Sequence, residues 1–268
     1  MTKNNFVCPE DPLRRQKSGV PSKDLRAVQP GERTNFEGKA VANNLLLSIC
    51  DEDFSLLRPH LHFHEYRHHQ TLYEPNRRLE TAYFPNSGMI SLVFTSRLNE
   101  TVEVGVVGNE GFAPVQMVAG LNRTPHRAVV QISGAGFQID VGTLWTAMKA
   151  SPQLQSNMNR YAAVHGLQVA QTAGCNRLHD LEQRLCRWLL LTQDRVGSGL
   201  LRITHDFLAT MLGTDRPSVS IAAGSLQKRQ IIEYQHGSVR ILNRKKLESC
   251  ACECYGVIAQ FNGELALK

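Results

Sequence analysis

The sequence has no apolar run long enough to cross a membrane. The longest runs, such as Leu45–Leu47 and Trp188–Leu191, fall far short of the ~20 residues that a membrane-spanning helix needs. Near the start of the chain there is also no apolar stretch of roughly 7–15 residues, such as a secretory signal requires. The seven cysteines of the 268 residues are odd in number and widely scattered, which argues against a disulfide framework. We therefore expect a cytoplasmic protein with reduced thiols and no membrane partner.

Enzyme signatures are missing as well. The sequence contains no phosphate-binding loop, no G-x-S-x-G elbow and no paired carboxylates in a recognisable frame. We therefore expect no enzymatic activity. A hydrophobic content of 42% with 20% charged residues excludes a wholly disordered chain, and a length of 268 residues suits two small domains.

The net charge of +6 is unevenly distributed. Residues 1–40 carry 8 basic and 5 acidic groups, residues 41–175 carry 9 and 10, and residues 176–268 carry 13 and 9. The basic C-terminal third predicts a polyanionic partner such as nucleic acid.

The pattern of residue types along residues 1–150 indicates an N-terminal tail followed by a β domain. Residues 1–40 show no sustained period and predict a disordered basic tail. A first helix is predicted near Ala42 from the spacing of the following leucines. Short β-branched segments bounded by turn residues then predict strands over 89–94, 101–107 and 127–132. Together they predict an antiparallel jelly roll over 41–150.

A long helix is predicted over 151–178, because Ser151-Pro152 forms a good helix start and no proline follows until well beyond it. Its apolar stripe is accompanied by small residues that let a second helix approach closely. The stripe includes Leu154, Met158, Ala162, Val169 and Ala173, and the small residues are Ala163, Gly166, Ala170 and Gly174. A seam between two subunits and packing against the chain's own β domain both fit this pattern, and we favour the subunit seam.

Residues 204–241 have the pattern of a winged helix-turn-helix. After a further helix over about 179–194, Thr204 can cap a short helix that ends at Gly213, and Pro217 lies in the first turn of a second helix. At 100° per residue, Val219, Ala222, Ala223 and Leu226 face the partner helix. Residues 231–234 and 239–242 then predict a β-hairpin wing.

The second helix, over 216–227, is the predicted recognition helix. Its N-terminal residues would reach base edges in the major groove, and basic residues around it would contact phosphates. The candidate DNA-binding residues are Thr204, Arg216, Pro217, Ser218, Ser220, Ile221, Ser225, Lys228, His236 and Arg240. A small helical domain with solvated basic residues is the alternative interpretation.

Several segments resemble the cyclic-AMP receptor protein / fumarate-nitrate regulator (Crp/Fnr) family. They are 185–191, Asp194-Arg195, 203–209, 211–213, 216–219, Leu247-Glu248 and 251–255 in the C-terminal third, with 83–85, Gly88 and 108–111 in the β domain. The resemblance spans about residues 41–258. It implies an α+β chain with a cyclic-nucleotide-binding-like β-roll over 41–150, a dimerisation helix over 151–178 and a winged helix-turn-helix over 179–258. Residues 259–268 are expected to form a tail.

The recognition helix departs from the pattern of many family members. Those members carry Arg-Glu followed by an outward Arg, which read G·C pairs. Here Arg216 is kept, whereas Pro217 replaces the Glu and Ile221 the later Arg. Because Ile221 offers only apolar contact, for instance to a thymine methyl group, a different target sequence is expected.

The resemblance also suggests a ligand site. Cyclic-nucleotide members use a Glu for the ribose and an Arg for the phosphate, and Glu110, with the adjacent Gly111, and Arg127 are the matching candidates. The long insertion between them and the absence of a hydroxyl residue after Arg127 favour a filled pocket or another effector. No cofactor is predicted.

Two groups of residues raise the question of a metal. Five histidines lie between His60 and His69, and on a strand His62 and His64 share a face. A metal-dependent cupin-like jelly-roll enzyme is therefore the rival hypothesis, but the Glu that such a site needs is missing, and we favour a solvated strand. Cys250, Cys252 and Cys254 are expected to continue a helix as buried thiols on different faces.

We conclude from the sequence that the chain is a homodimeric, sequence-specific DNA-binding transcription regulator. It would bind an inverted-repeat operator and take a signal through the β-roll. RNA polymerase would be a further partner. A ligand-sensing module that acts through protein contacts remains an alternative.

Overall fold

The computed structural model describes residues 28–98, 100–235 and 237–265. The part before residue 151 is a β domain with three short α-helices and two 3-10 helices, Arg58–His60 and Val115–Ala119. Its elements are α1 (Asn44–Ser48), α2 (Asp51–Leu57), β1 (His62–Tyr66), β2 (Thr71–Tyr73), β3 (Thr81–Pro85), β4 (Met89–Thr95), β5 (Thr101–Val107), β6 (Arg127–Ile132), β7 (Gly134–Asp140) and α3 (Val141–Ala150).

The strands form two antiparallel sheets. One has the order β1-β7-β3 and the other the order β2-β6-β4-β5. Phe84, Phe112 and Phe137 are fully buried in the main core, where burial of such rings supplies much of the driving force for folding. The predicted jelly-roll architecture is confirmed, and the three predicted strands correspond to β4, β5 and β6.

Residues 28–40 correct the prediction of a disordered tail over 1–40, of which residues 1–27 lie outside the described residues. Arg33 is buried, and its guanidinium donates to the carbonyl oxygens of Leu46 at 2.8 Å and Ile49 at 2.9 Å. It also forms an ion pair with Asp51 at 2.7 Å. These bonds satisfy carbonyls at the end of α1 that have no partner within the helix, and they attach residues 28–40 to the β domain.

The second half is helical apart from one small sheet. Its elements are α4 (Pro152–Leu178), α5 (Leu181–Val196), β8 (Leu200–Arg202), α6 (His205–Leu212), α7 (Arg216–Lys228), β9 (Ile232–Gln235), β10 (Ser238–Ile241), α8 (Arg244–Cys250) and α9 (Cys254–Leu265). Two residues join α4 to α5: His179 ends α4, and Asp180 caps α5 with a capping box to Gln183. None of the described helices is both long and apolar enough to cross a membrane.

The long helix α4 has two different faces. Leu154 and Met158 are buried in the core of the β domain, so this part of the predicted stripe packs within the chain. The small residues Ala163, Gly166 and Ala170 are exposed instead, and so is Leu167. One face of α4 is therefore exposed in the described part of the chain, and Leu167 and Ala170 at its edge line a groove shared with α9.

The C-terminal end differs from the prediction. The helix expected to continue through the cysteines ends at Cys250, because Ala251 is extended, and α9 begins afresh at Cys254. The predicted tail over 259–268 is wrong as far as Leu265, where α9 ends; residues 266–268 lie outside the described part of the chain.

Candidate nucleic-acid interface

The two short helices α6 and α7 are held at their ends by side-chain caps. The Thr204 hydroxyl accepts the Phe207 N–H at 3.2 Å, and the Asp215 carboxylate accepts the Ser218 N–H at 2.8 Å. Between the helices, Gly213 adopts φ 60°, a left-handed conformation that glycine enters without steric cost. This turn fixes the angle between the helices, as a helix-turn-helix requires.

The inward face of α7 is the predicted one. Val219, Ala222, Ala223 and Leu226 are all buried in the core of this domain, together with Leu208 and Leu212 of α6. The residues between these buried positions therefore form the outward face of α7.

That outward face combines charge with one large apolar side chain. Arg216 is 64% exposed at the first position of α7, and Ile221 is 76% exposed one turn later. Pro217, Ser220 and Lys228 are also exposed, whereas Ser218 and Ser225 are half-buried. An isoleucine at this exposure loses nothing when it meets an apolar group such as a base methyl.

The wing lies beside this face. Strands β8, β10 and β9 form a small antiparallel sheet in which β10 is central. Arg240 on β10 is exposed and lies 3.6 Å from Glu233. The other predicted wing residue, His236, lies outside the described residues.

His205 is a residue of this region that the sequence did not identify. Its Nδ1 lies 2.9 Å from the Ser220 hydroxyl of α7, and its ring stacks on Tyr234 of the wing with centroids 3.8 Å apart. Burial lowers the pKa of His205, and the nearby Arg216 lowers it further. His205 thus joins α6, α7 and the wing. Its stacking partner, Tyr234, is distant in sequence, so the helical period does not predict this contact.

The β domain and the helix-turn-helix share a buried boundary. Met89 and Val106 of the β domain belong to the same core cluster as Trp188 and Leu189 of α5. The Trp188 indole donates to Glu103 of β5 at 2.8 Å. Burial raises the pKa of Glu103 to about 7, although bonds from Ser91 and Trp188 act in the opposite direction.

Glu110 faces this boundary rather than a shared site with Arg127. Its carboxylate accepts from the Arg195 guanidinium at 2.9 Å and from the Gly108 N–H at 3.1 Å. Arg127 is instead half-exposed and pairs with Glu74 at 2.9 Å. The two candidate ligand residues therefore have different partners.

Gly111, the third candidate, lies against a tyrosine ring. A Cβ at Gly111 would stand only 1.8 Å from Cζ of Tyr161, a fully buried residue of α4. The ring therefore takes the space directly over Gly111, and only glycine fits beneath it.

The candidate metal residues of the His-rich segment lie on β1 but differ in surroundings. His62 is exposed and meets the ring of Phe36 edge-on at 5.7 Å. His64 is half-buried, with its Nε2 3.2 Å from the amide nitrogen of Gln70. These contacts engage the two side chains separately.

The comparisons with known proteins agree with this geometry. Residues 183–250 match the family model of the Crp-like helix-turn-helix domain. A comparison with curated proteins gives no match.

Solved structures of Crp/Fnr regulators have the same fold. A transcriptional regulator of the Crp/Fnr family from Eubacterium rectale is 16% identical, with a TM-score of 0.59 over 75% of this chain and 94% of that one. FixK2 from Bradyrhizobium japonicum is 14% identical, with a TM-score of 0.58 over 72% and 98%. The c-di-GMP responsive regulator CLP from Xanthomonas campestris is 16% identical, with a TM-score of 0.57 over 72% and 99%.

A β-roll, a long helix and a winged helix-turn-helix in one chain are the modular fold of Crp/Fnr transcription regulators, and the C-terminal module is a helix-turn-helix DNA-binding domain. Residues 183–250 match the Crp-like helix-turn-helix model, and the described chain has the fold of the Crp/Fnr regulators. The resemblance noted in the sequence is confirmed.

Proposed function

We propose that the chain is a homodimeric, sequence-specific DNA-binding regulator that recognises an inverted-repeat operator through α7. The observation that carries this proposal is the exposed face of α7, where Arg216 and Ile221 stand beside the wing that carries Arg240. The proposal assigns no enzymatic reaction to the chain, and it requires the cytoplasmic location expected from the sequence.

The contacts to DNA would divide into two kinds. Lys228 and Arg240 are exposed cations at the edges of the face, and they would neutralise phosphates without reading sequence. Arg216, Ile221 and Ser225 lie closer to its centre and would contact base edges. The present pairing of Arg216 with Asp206, at 3.2 Å, is exposed, so exchange of this partner for DNA costs little.

Dimerisation would use the exposed face of α4. Ala163, Gly166 and Ala170 recur at helical spacing on this face, and a Cβ built at Gly166 would meet no described atom within 4 Å beyond its chain neighbours and the adjacent turns of its own helix. Two such helices can approach closely. Their pairing would place two recognition helices ~34–36 Å apart, on successive turns of one DNA groove.

The signal would act at the boundary between the β-roll and the DNA-binding domain. Glu110 and Arg127 have separate partners, and Tyr161 covers Gly111, so an effector other than cyclic AMP is favoured. CLP, with the same fold, responds to c-di-GMP, which supports a variable effector within this architecture. An effector that favours one pose of the DNA-binding domain would shift the population towards it.

The test is a selection from a randomised duplex library with the full chain, with and without candidate nucleotides. We expect the selected sequences to contain an inverted repeat, with half-sites about one helical turn apart and affinity that falls steeply with salt. Enrichment of no sequence, or of a single non-repeated site, would contradict the proposal. Loss of all DNA binding would favour a sensor that acts through protein contacts.

A further inference from the structure

Four potential metal ligands converge where α4 meets the C-terminal segment. They are Cys175 in the last turn of α4, His179 immediately after it, and Cys252 and Cys254 on either side of the break before α9. One ligand atom from each residue lies within 4.8 Å of all the others. Among the residues that the structure describes, no other group of three or more His, Cys, Asp or Glu side chains converges in this way.

The spacing of these atoms suits a single ion. Zinc–sulfur bonds of about 2.3 Å and zinc–nitrogen bonds of about 2.0–2.1 Å in a tetrahedron place neighbouring ligand atoms roughly 3.5–3.8 Å apart. The Sγ atoms of Cys175 and Cys252 are 3.4 Å apart, and Cys254 Sγ is 3.6 Å from His179 Nδ1. The side chains thus already stand close to the positions that a tetrahedral ion imposes.

The surroundings of the cluster also resemble those of a metal site. The other nitrogen of the imidazole, His179 Nε2, lies 3.2 Å from the Glu253 carboxylate, an arrangement that orients a histidine ligand with Nδ1 free to bind. The amide of Gln171 donates to Cys254 Sγ at 3.1 Å. Cys175, Cys252 and Cys254 are at most 4% exposed, whereas His179 is partly accessible and offers an entry side.

We propose that Cys175, His179, Cys252 and Cys254 form a structural Zn²⁺ site that fastens the end of the dimerisation helix to the DNA-binding domain. Three thiolates and one neutral imidazole fill the four positions that zinc prefers in structural sites. On binding, each thiol gives up one proton to solvent as its sulfur bonds to the ion, so up to three protons are released and no electron is transferred.

Two other uses of the cysteines account for less of the geometry. A disulfide between Cys175 and Cys252 would leave Cys254 and His179 without a role. An iron–sulfur cluster spreads its ligands over several irons, which requires wider spacing than atoms gathered around one point. A single ion uses all four groups at once.

The position of the site gives it a mechanical role. Only His179 and Asp180 separate α4 from α5, and His179 is itself a ligand. An ion at this point would join this two-residue connection, the hinge between α4 and α5, to the segment that follows α8, and thereby limit rotation of α7 relative to α4. The site does not depend on DNA binding, so its test stands apart from the test of the proposed function.

The first experiment measures metal in the full chain, purified under reducing conditions without chelators or a histidine tag. We expect one zinc per protomer, and X-ray absorption that shows three sulfur neighbours and one nitrogen neighbour. Exchange with Co²⁺ should give the visible absorption of a tetrahedral thiolate complex. Absence of zinc together with absence of this cobalt spectrum would overturn the proposal, as would iron with sulfide or a Cys175–Cys252 disulfide in the isolated protein.

The second experiment uses matched variants. Cys252→Ser and Cys254→Ser should lose the zinc, whereas Cys250→Ser should keep it, because Cys250 Sγ faces Arg229 at 3.5 Å instead of the cluster. Removal of zinc from the unmodified chain should accelerate hydrogen exchange around 176–183 by at least about tenfold, as a released hinge opens locally. Full zinc in both serine variants, or unchanged exchange at the hinge after zinc removal, would contradict the site or its mechanical role.

Discussion

Arg195 of α5 and Glu110 of the β domain form a buried ion pair at 2.9 Å, with side chains only 3% and 13% exposed. The same guanidinium donates to Gln168 of α4 at 2.9 Å and to the carbonyl of Leu191. One side chain therefore joins the β-roll, α4 and the helix-turn-helix domain. The family resemblance makes Glu110 a candidate ligand-binding residue, and in the structure its carboxylate contacts Arg195 of α5.

The first prediction concerns this pair. Glu110→Gln and Arg195→Met should each lower the free energy of unfolding by about 3–5 kcal/mol, because a buried charge is left without its partner. The double variant should lose less than the sum of the two. Urea denaturation of the four proteins in a double-mutant cycle measures the coupling.

The exposed pair Arg127–Glu74 is the matched control. Arg127→Met should cost no more than about 1 kcal/mol, since exposed ion pairs contribute little. Equal, additive losses for Arg195→Met and Glu110→Gln would show that the pair does not couple the domains.

The second prediction concerns Glu103, whose pKa burial raises to about 7 from an ordinary value of 4.5. Between these values the folded state holds a proton that the unfolded state has released, so stability must fall as the pH rises. The contribution is complete below pH 4.5 and lost as the pH rises through 7. Relative to Glu103→Gln, the unmodified chain should lose up to about 3 kcal/mol across this range.

Thermal denaturation of the two proteins between about pH 5 and pH 8 measures this difference. Subtraction of the Glu103→Gln curve removes the titration of other groups, among them His165, whose pKa burial lowers to about 4. If the stabilities of the two proteins changed with pH in parallel, the pKa of Glu103 would not be raised in the folded state.

The third prediction separates base contacts from phosphate contacts. Ile221→Ala and Arg216→Ala should each weaken binding to the selected operator by about 1–3 kcal/mol and relax discrimination at one base-pair position. Both side chains are exposed, so the melting temperature should not change. Fluorescence anisotropy with the operator and its single-base variants gives the affinities.

Lys228→Ala should behave differently from those two variants. It should weaken binding to every duplex alike and reduce the slope of log K against log salt by about 1. Lys149→Ala, which removes an exposed lysine from α3 of the β domain, is the control and should leave the slope unchanged. If the effect of Lys228→Ala depended on the base sequence of the duplex, Lys228 would not be a phosphate contact.

The fourth prediction concerns the exposed face of α4. Ala170→Glu and Ala163→Glu place a charge at the proposed seam and should convert the dimer to a monomer, with little loss of helix propensity. Gln155→Glu, on another exposed position of the same helix, should leave the dimer intact. Sedimentation equilibrium distinguishes these outcomes, and an unmodified monomer would contradict the seam directly.

Local signals were sufficient for the helix-turn-helix. Its caps at Thr204 and Asp215, its left-handed Gly213 and the buried face of α7 all depend on residues within a few positions of one another. Burial of Val219 and Leu226 follows from the helical period alone. The β-roll was predictable only as a class, because β1, β2 and β3 are short and polar or aromatic, and β7 begins with Gly-Ala-Gly without clear alternation.

Contacts between distant segments were not predictable. The sequence pattern indicates only that Trp188 is an apolar residue of α5, yet its indole N–H donates to Glu103 of the β-roll. The cysteines at 252 and 254 were expected to diverge on one helix, but the extended Ala251 breaks that helix and turns both towards Cys175. In each case the partner residue lies far away in sequence, so the local pattern of apolar residues does not predict the contact.

The central claim is that two copies of α7 read two halves of one operator. The most direct test compares the affinity of the full chain for the selected duplex with its affinity for a duplex in which one half-site is scrambled, together with the number of protomers bound. We predict two protomers on the intact duplex and a loss of at least about tenfold on the scrambled one, since several mismatches at about 1–3 kcal/mol each accumulate. Equal affinity for both duplexes, or one protomer on the intact duplex, would contradict it.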